Sequence, residues 1–253
     1  MKKNIKMVIT DLDNTLLRRD KTVSDYTVSL FKRLRERGVL VAFATARPLT
    51  MVEDYRAMIQ PDAMALTNAA MIIANSEIVK EHSVPSETAN ALLREVVGSG
   101  KMVKVSARSR DSYYTTNPNT ALEPQIFFDF STPITETLMH ISFRTNDEAY
   151  ARSIIAKYKE FEFWHVSGEN LYDVNPLGAT KANAAKYLSD YFSVPLVNVA
   201  AFGDDYNDVE MLRKCGVGVA VANSIDEVKA VADYVCGDCD EDGVARWLEE
   251  NVL

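Results

Sequence analysis

Two aspartates near the start of the chain have the type and spacing that carboxylate chemistry requires. Asp11 and Asp13 stand one residue apart, directly after the apolar segment 5–10, IKMVIT, which predicts a buried strand. One carboxylate can attack a phosphoryl group as a nucleophile, while a second nearby serves as general acid and then as general base. Carboxylates this close repel each other in a low-dielectric site, so the pair also requires a positive charge beside it.

A second acidic group follows a later strand. The segment 203–208, GDDYND, comes after the apolar run 197–202 and supplies Asp204, Asp205, Asn207 and Asp208. In an open parallel sheet, sites form at the carboxyl ends of the strands, so both acidic groups are expected at one edge. Mg²⁺ binds one or two carboxylates together with waters and phosphate oxygens. The pattern therefore favours a magnesium site shared by the two segments.

A hydroxyl and an ammonium group complete the set. Thr45 ends the apolar segment 39–45, and Lys181 lies early in a helix predicted over 179–191. Such groups hold the oxygens of a phosphoryl group during its transfer. Taken singly, each has a structural explanation, as a strand-end hydroxyl or a solvated helix lysine. The order of all these groups at the strand ends of one predicted sheet favours the catalytic interpretation.

The elements that position these residues form two kinds of block, which differ in their pattern of apolar residues. In the flanking blocks, apolar strands alternate with amphipathic helices, which is typical of a parallel sheet covered on both faces. The strands are predicted at 5–10, 39–45, 63–66, 71–74, 197–202 and 216–221. The helices are predicted at 24–37, 50–59, 179–191, 208–214, 224–232 and 243–251.

The middle block has shorter strands with the alternating pattern of a half-buried antiparallel sheet. Its strands are predicted at 102–107, 112–116, 126–130, 139–143, 161–166 and 170–174, and its helices at 86–97 and 147–158. We therefore predict an α/β core formed by residues 1–79 and 177–253. An α+β domain with an antiparallel sheet is inserted between them at 80–176.

The motifs resemble those of a known superfamily. DLDNT, the strand ending at Thr45, Lys181 and GDDYND resemble the four motifs of the haloacid dehalogenase (HAD) phosphatases. LTNAAMI, NPLGATKANAAKYL, VGVAVANSIDEVKAVADYV and DEDGVARWL are similar to the Cof-type, class IIB sugar-phosphatase branch. The resemblance covers both core segments, and the insert lies where the type-2 cap of that branch occurs. It implies a Rossmann-like HAD core with a mainly parallel sheet and an inserted cap that sets substrate selectivity.

The resemblance implies a role for each motif residue. Asp11 attacks phosphorus and becomes an aspartyl-phosphate, while Asp13 protonates the leaving oxygen and then activates the hydrolytic water. Thr45 and Lys181 bind the phosphoryl oxygens. The implied activity is Mg²⁺-dependent hydrolysis of small phosphorylated metabolites, with sugar phosphates expected first.

The resemblance also implies the metal ligands and some substrate contacts. Mg²⁺ is held by Asp11, the backbone carbonyl of Asp13 and Asp204, and this shell is oriented or completed by Asp208 and Asn207. Substrate contacts are expected from Arg47, Asn68 and Asn207 in the core. Further candidates in the insert are Arg108, Arg110, Tyr113, Tyr114, His165, Glu169 and Asp173, each of which also has a plain explanation as sheet packing, cap core or solvated surface.

The chain departs from the pattern of its relatives at four alanines. Ala46, Ala69, Ala182 and Ala222 stand where relatives often have glycine. An alanine adds a methyl group and disfavours positive φ. We expect these changes to affect substrate preference more than chemistry.

Composition limits the partners and the compartment. The net charge of −8 disfavours nucleic acid as a partner. Three cysteines do not form a disulfide framework, and Cys236 and Cys239 have no nearby histidine that would complete a zinc site. No segment has the pattern of a signal peptide or a membrane span. We expect a cytoplasmic protein, monomeric or weakly dimeric, that binds a small phosphorylated metabolite.

Three alternative functions use the same residues. A phosphomutase would pass the aspartyl-phosphate to a second substrate hydroxyl, so a sugar bisphosphate would activate it and an isomeric product would form. A sugar-phosphate-binding protein without activity on the same scaffold would not need the Asp11 and Asp13 pair. A signalling receiver domain also groups acidic residues, Thr and Lys at strand ends, but it is about half this length and has no inserted domain.

Overall fold

The computed structural model describes residues 4–119 and 123–253. The chain forms two compact units. The first, called the core unit below, runs to Lys80 and resumes at Thr180–Leu253, and the second, called the inserted unit, is Glu81–Ala179.

The core unit contains an eight-stranded sheet. Its strands are β1 Met7–Thr10, β2 Leu40–Ala44, β3 Ala63–Leu66, β4 Met71–Ala74, β5 Glu77–Glu81, β12 Val199–Gly203, β13 Val217–Ala220 and β14 Tyr234–Val235. Their order in the sheet is β14-β13-β12-β1-β2-β3-β4-β5. The pairs from β14 to β3 are parallel and β3 pairs with β4 antiparallel, so the sheet is mainly parallel, as predicted.

Helices cover both faces of this sheet. They are α1 Asp25–Glu36, α2 Glu53–Ile59, α5 Lys181–Tyr191, α6 Val209–Lys214, α7 Asp226–Lys229 and α8 Gly243–Asn251. Alternate strand residues such as Met7 and Ile9 pack with Leu188 of α5 and Met211 of α6 in one apolar cluster. On the other face, the Phe202 ring contacts Trp247 of α8 at 5.5 Å between centroids. The inner strands β1, β2, β3, β12 and β13 are almost entirely apolar because both of their faces are buried.

The inserted unit is an α+β fold with a six-stranded sheet. Its strands are β6 Met102–Arg108, β7 Tyr113–Thr115, β8 Ile126–Phe127, β9 His140–Thr145, β10 Phe161–His165 and β11 Leu171–Pro176, and its helices are α3 Ser86–Gly98 and α4 Glu148–Lys157. The order is β10-β11-β9-β6-β7-β8, antiparallel except for β7 and β8. Both helices pack on the same face, against Val105, Ile141 and Phe143.

The local signals explain most of the helix boundaries. Ser24 caps α1 by accepting a hydrogen bond from the backbone N–H of Thr27, and Asp147 caps α4 in the same way through Tyr150. Gly38, at φ +74°, follows α1 and allows the chain to turn into β2. Within the described ranges 4–119 and 123–253, no helix has the length and apolar character needed to cross a membrane.

Some predicted elements were wrong in extent. The strand predicted at 126–130 is only Ile126–Phe127, because Phe130 has φ +59° and the Asp129 carboxylate accepts the N–H of Ser131, which forms a turn. The helix predicted at 224–232 is α-helical only over Asp226–Lys229. The edge strands β5 and β14 were missed because they are mostly exposed and have no apolar signal of a buried strand.

Candidate active site

Strand order brings the predicted residues to one edge of the core sheet. β1 lies between β12 and β2, and Thr10 is opposite Phe202 on one side and Phe43 on the other. Asp11 follows directly, and its N–H donates to the Phe202 carbonyl at 3.0 Å. Asp204 and Thr45 therefore emerge from the strands on either side of Asp11.

Lys181 joins two of the carboxylates. Its Nζ donates to Asp11 Oδ1 at 2.9 Å and to Asp208 Oδ1 at 2.8 Å. All three side chains are buried, and the Lys181 side chain is 2% exposed. Because Lys181 is the first residue of α5, whose apolar face packs on the sheet, the helix places the ammonium group between the carboxylates. Asp11 Oδ2 is left without a hydrogen bond from the described residues.

The backbone around Gly203 fixes Asp208. Asp208 Oδ2 accepts the N–H groups of Asp204 at 3.1 Å and Asp205 at 3.3 Å, in a capping box at the end of β12. A Cβ on Gly203 would lie 2.3 Å from Asp208 Cγ, so only glycine leaves room for this carboxylate. Both Asp208 oxygens are thus engaged, which makes Asp208 a residue that positions Lys181 and the loop.

Asp204 is the third carboxylate of the cluster. Thr15 Oγ1 donates to Asp204 Oδ1 at 2.7 Å, which leaves Asp204 Oδ2 open. Oxygens of Asp11, Asp204 and Asp208 all lie within 4.8 Å of one another. Thr15, the threonine of the DLDNT segment, thus orients Asp204 of the second acidic segment.

The electrostatics of this cluster fit a divalent cation. Burial raises the pKa of Asp11 to about 7, although the charge of Lys181 acts in the opposite direction with a smaller effect. Burial and the neighbouring Asp11 and Asp208 raise the pKa of Asp204 to about 8. One ammonium group therefore does not offset three carboxylates that lie this close together. Oxygen ligands with excess negative charge are the donor set that a hard cation such as Mg²⁺ takes, so the residues present fit that ion.

Asp13 has a different environment from Asp11. Arg47 donates to it through two atoms, Nε to Oδ2 at 2.6 Å and Nη2 to Oδ1 at 2.7 Å, and Lys21 Nζ lies 2.8 Å from Oδ1. Burial alone would raise the pKa of Asp13, but the hydrogen bonds from Arg47 and Lys21 outweigh it and lower the pKa to about 2. The two carboxylates of the motif are therefore pushed in opposite directions. The Asp13 side chain is directed to these cations and is not one of the three clustered carboxylates.

Arg47, predicted as a substrate contact, is occupied within the core unit. Besides Asp13, its Nη1 donates to the Met51 carbonyl at 3.2 Å, and its guanidinium lies 5.2 Å from the centroid of the Tyr55 ring. In this conformation the Arg47 guanidinium is therefore engaged with Asp13 and the Met51 carbonyl.

Asn68 lies in a strained turn that is hydrogen-bonded to Thr45. Thr45 Oγ1 accepts the N–H of Arg47 at 3.1 Å, and the Thr45 carbonyl accepts the N–H of Asn68 at 2.9 Å. Thr67, Asn68 and Ala69 have φ values of 52°, 52° and 72°. Positive φ is costly for a β-branched residue and for alanine, and strain of this kind clusters at functional sites. The turn brings Asn68 Oδ1 to within 2.9 Å of Asn207 Nδ2.

The four alanines that stand where relatives often have glycine differ in the sign of φ. Of the four, only Ala69 has positive φ, so it alone carries the strain that glycine would relieve. Ala46, Ala182 and Ala222 have ordinary backbone conformations.

Each selectivity candidate in the inserted unit has a partner in that unit. Ion pairs join Arg108 to Glu123, Arg110 to Glu81, Glu169 to Arg144, and Asp173 to His140. Tyr114 donates to Glu136, Tyr113 lies under the Arg108 guanidinium, and His165 stacks on Tyr172. These contacts explain the side chains within the inserted unit, and their part in selectivity stays a prediction.

The cysteines do not form a second site. Burial raises the pKa of Cys236 to about 12 and that of Cys239 to about 11, which keeps both as thiols. Cys239 lies between Asp238 and Asp240, but both carboxylates are held by Arg19.

The sequence patterns did not predict two residues of the site. Lys21 has no motif around it, and only the fold shows that it returns to Asp13. Gly203 stands in the quoted segment GDDYND, yet its role depends on the approach of Asp208.

Comparison with known proteins now identifies the family. The family model of the haloacid dehalogenase-like hydrolases matches residues 8–248. The chain belongs to the haloacid dehalogenase-like hydrolase family. It is accordingly an enzyme, a phosphoric monoester hydrolase, and the receiver-domain alternative is wrong.

Relatives of this HAD hydrolase are phosphatases by name. A Haemophilus influenzae protein with a provisional phosphatase name is 30% identical, over 97% of each chain. The Bacillus subtilis 5-amino-6-(5-phospho-D-ribitylamino)uracil phosphatase YitU is 27% identical over 96% of each chain. An Escherichia coli HMP-PP phosphatase is 25% identical, over 96% of this chain and 94% of the relative.

Solved structures show the same fold over nearly the whole chain. The HAD subclass IIB sugar phosphatase BT4131 has a TM-score of 0.82 at 22% identity, covering 97% of this chain and 98% of that one. A haloacid dehalogenase-like hydrolase from Bacillus subtilis has a TM-score of 0.87 at 19% identity, covering 98% of this chain and 100% of that one. The predicted fold class, a HAD core with an inserted α+β cap, is confirmed.

Proposed function

We propose that this HAD hydrolase is a Mg²⁺-dependent phosphatase of small phosphorylated metabolites, with sugar phosphates as the first class to test. The observation that carries the proposal is the position of Asp11. One of its oxygens is held by Lys181 and the other is open, at the sheet edge where Asp204 also presents an open oxygen. A fixed carboxylate with one open oxygen suits nucleophilic attack on phosphorus.

In the first step, Asp11 Oδ2 forms a bond to phosphorus while the bond from phosphorus to the leaving oxygen breaks. Lys181, and the Thr45 hydroxyl at the neighbouring strand end, would bind the phosphoryl oxygens. When bound, Mg²⁺ would supply charge neutralisation for the carboxylates and the phosphoryl group. Asp11, Asp204 and the backbone carbonyl of Asp13 would hold it, with Asp208 and Asn207 supporting the loop.

Asp13 would manage the proton. The leaving oxygen needs a proton in the first step, and the hydrolytic water must lose one in the second. In the conformation described, Arg47 and Lys21 hold Asp13 as a carboxylate, which is the form needed for the second step. We propose that Asp13 gains its proton for the first step only when it leaves one of these cations.

The inserted unit is proposed to be the cap that sets selectivity, within the boundaries 80–176 given above. The names of the relatives support small phosphorylated metabolites as the class, since one is a 5-amino-6-(5-phospho-D-ribitylamino)uracil phosphatase and another an HMP-PP phosphatase. We also propose a cytoplasmic location and a monomer or weak homodimer.

The test is phosphate release from sugar phosphates, nucleotides and an aryl phosphate, with Mg²⁺ and with EDTA. Asp11→Asn is the blank, and Asp54→Asn, an exposed aspartate of α2, is the matched control. Release that requires Mg²⁺ and is lost in Asp11→Asn but kept in Asp54→Asn supports the proposal. Undiminished release by Asp11→Asn, or in EDTA, contradicts it.

A further inference from the structure

One face of the sheet in the inserted unit carries a row of polar side chains. The opposite face packs on α3 and α4 through Val105, Ala107, Ile141 and Phe143. Because side chains alternate along a strand, the intervening residues point away from the helices. They include Lys104, Ser106 and Arg108 of β6, and His140, Ser142 and Arg144 of β9.

Two of the basic side chains on this face lie against a carboxylate. Arg108 makes an ion pair with Glu123, and His140 lies 3.2 Å from Asp173. Lys104 is different: its ammonium group has no hydrogen bond and no ion pair with any residue in the described ranges. A half-buried ammonium group without such a partner is unusual, because removing it from water has a cost.

Lys104 also faces a second cation. In the register of β6 and β9, Lys104 is directly opposite Arg144. Like charges in this relation destabilise a sheet. Burial, and next the charge of Arg144, lower the pKa of Lys104, while Glu123 acts in the opposite sense and more weakly. The local field at this pair is therefore positive, in a protein whose net charge is −8.

Arg144 has two partners, neither of them buried. Its Nη1 donates to Asn170 Oδ1 at 3.2 Å, and its Nη2 pairs with Glu169 at 2.6 Å, where the two side chains are 36% and 46% exposed. Pairs this exposed contribute little, because water screens them and both side chains lose freedom. A multiply charged ligand would compete with Glu169.

A hollow of about 110 Å³ lies between these cations. Its lining includes Lys104, Arg144, Ser142, Ser106 and Tyr113. Since about 10–15 Å³ of space for the centre of a water suffices to hold one, the hollow has room for several waters or for one phosphate group. Two cations and several hydroxyl groups around such a volume are the donors that an oxyanion takes.

We propose that this hollow is an oxyanion-binding site for a phosphate-sized group, held by Lys104 and Arg144 with Ser142 as a hydroxyl donor. The group is either free phosphate or the phosphate of a small metabolite. The site lies wholly within the inserted unit, so it does not depend on the reaction assigned to the core unit.

The test is a titration of the full-length protein with inorganic phosphate in EDTA, followed by residue-specific NMR. We expect saturable shifts at the amides of β6 and β9 and at Arg144 Nε. Lys104→Gln is expected to weaken this binding about tenfold or more, since it removes a charge-assisted contact. Lys159→Gln, which removes the same charge from an exposed position of the same unit, is the matched control and should leave binding unchanged.

A second titration, with a sugar phosphate in EDTA, separates the two sources of the group. If a metabolite supplies it, the sugar phosphate shifts the same amides at a lower concentration than inorganic phosphate does, and Lys104→Gln weakens this binding. If free phosphate supplies it, inorganic phosphate binds more tightly than the sugar phosphate, and Lys104→Gln weakens that binding. Either result supports the site.

The proposal is overturned if phosphate shifts no signals of β6 and β9. It is also overturned if Lys104→Gln, with an unaltered melting temperature, binds phosphate as the wild type does. Because the titration needs no turnover, a negative result here is distinguishable from a failure of the phosphatase assay.

Discussion

Replacing Lys181 with methionine tests the electrostatic balance of the site. Methionine has a similar length and is apolar, so it fills the space without the charge. The variant leaves Asp11 and Asp208 buried and without the ammonium group that both contact. Asp204 lies in the same cluster and adds to the repulsion.

The expected loss of stability is large. Removing one partner of a buried ion pair costs about 3–5 kcal/mol, because the other charge stays buried without compensation. For a protein of this size, each kcal/mol changes the melting temperature by about 2–4 °C, so we expect Tm in EDTA to fall by about 6–20 °C. The matched control is Lys186→Met on the same helix, where the ion pair to Asp190 is exposed and we expect almost no change.

The loss should depend on pH in a defined direction. The folded state raises the pKa of Asp11 to about 7 and that of Asp204 to about 8, above the ordinary value of 3.8. Between about pH 4 and 8 the folded state therefore binds more protons than the unfolded state, so stability without metal falls as pH rises. Without Lys181 the carboxylates hold their protons more tightly, and the deficit of Lys181→Met should shrink from pH 8.5 to pH 5.

The assay is thermal unfolding in EDTA across this pH range for wild type, Lys181→Met and Lys186→Met. If Lys181→Met has the same melting temperature as the wild type at pH 8.5, the ammonium group does not compensate the carboxylates and the reasoning is refuted. A deficit that grows toward pH 5 would contradict the assigned pKa directions.

Three further substitutions test separate contacts. Gly203→Ala places a methyl group where the Asp208 carboxylate now lies, and we expect kcat/KM to fall about 10- to 100-fold while circular dichroism shows a retained fold. Unchanged kinetics would show that the close contact between Gly203 and Asp208 does not hold the carboxylate in place. Arg47→Met removes both Arg47 hydrogen bonds to Asp13, so the pKa of Asp13 should rise from about 2 toward or above 3.8 when it is followed by carboxyl ¹³C NMR. A value still near 2 would show that Lys21 alone lowers the pKa of Asp13. Ala69→Gly relieves a φ of 72° and should raise the free energy of unfolding by about 0.5–1 kcal/mol, measured as a higher denaturant midpoint. A lower midpoint would show that no strain is stored there.

The sequence was sufficient for features that depend on local pattern. Apolar runs predicted the buried strands, and β3, β4 and α8 have the predicted bounds. The position of Asp11 beside Asp204 followed from the rule that parallel strands end at one edge of the sheet.

The remaining features depend on contacts between distant segments. Lys21 meets Asp13 only because the loop after the motif folds back, and Arg47 pairs with Asp13 instead of remaining open to a ligand. The strain at Ala69 could be suspected from the substitution of glycine but not located, since the other three alanines have ordinary φ. Exposed edge strands such as β14 have no burial pattern to reveal them.

The most direct test of the central claim is to locate the phosphoryl group on the protein during turnover. An aryl phosphate has a leaving group that needs little protonation, so Asp13→Asn should be phosphorylated and then hydrolysed slowly. After acid quenching, mass spectrometry is expected to find the phosphoryl group on the peptide that contains Asp11. A phosphoryl group on Asp204 or Asp208, or release of the aryl alcohol with no phosphorylated protein, would contradict Asp11 as the nucleophile.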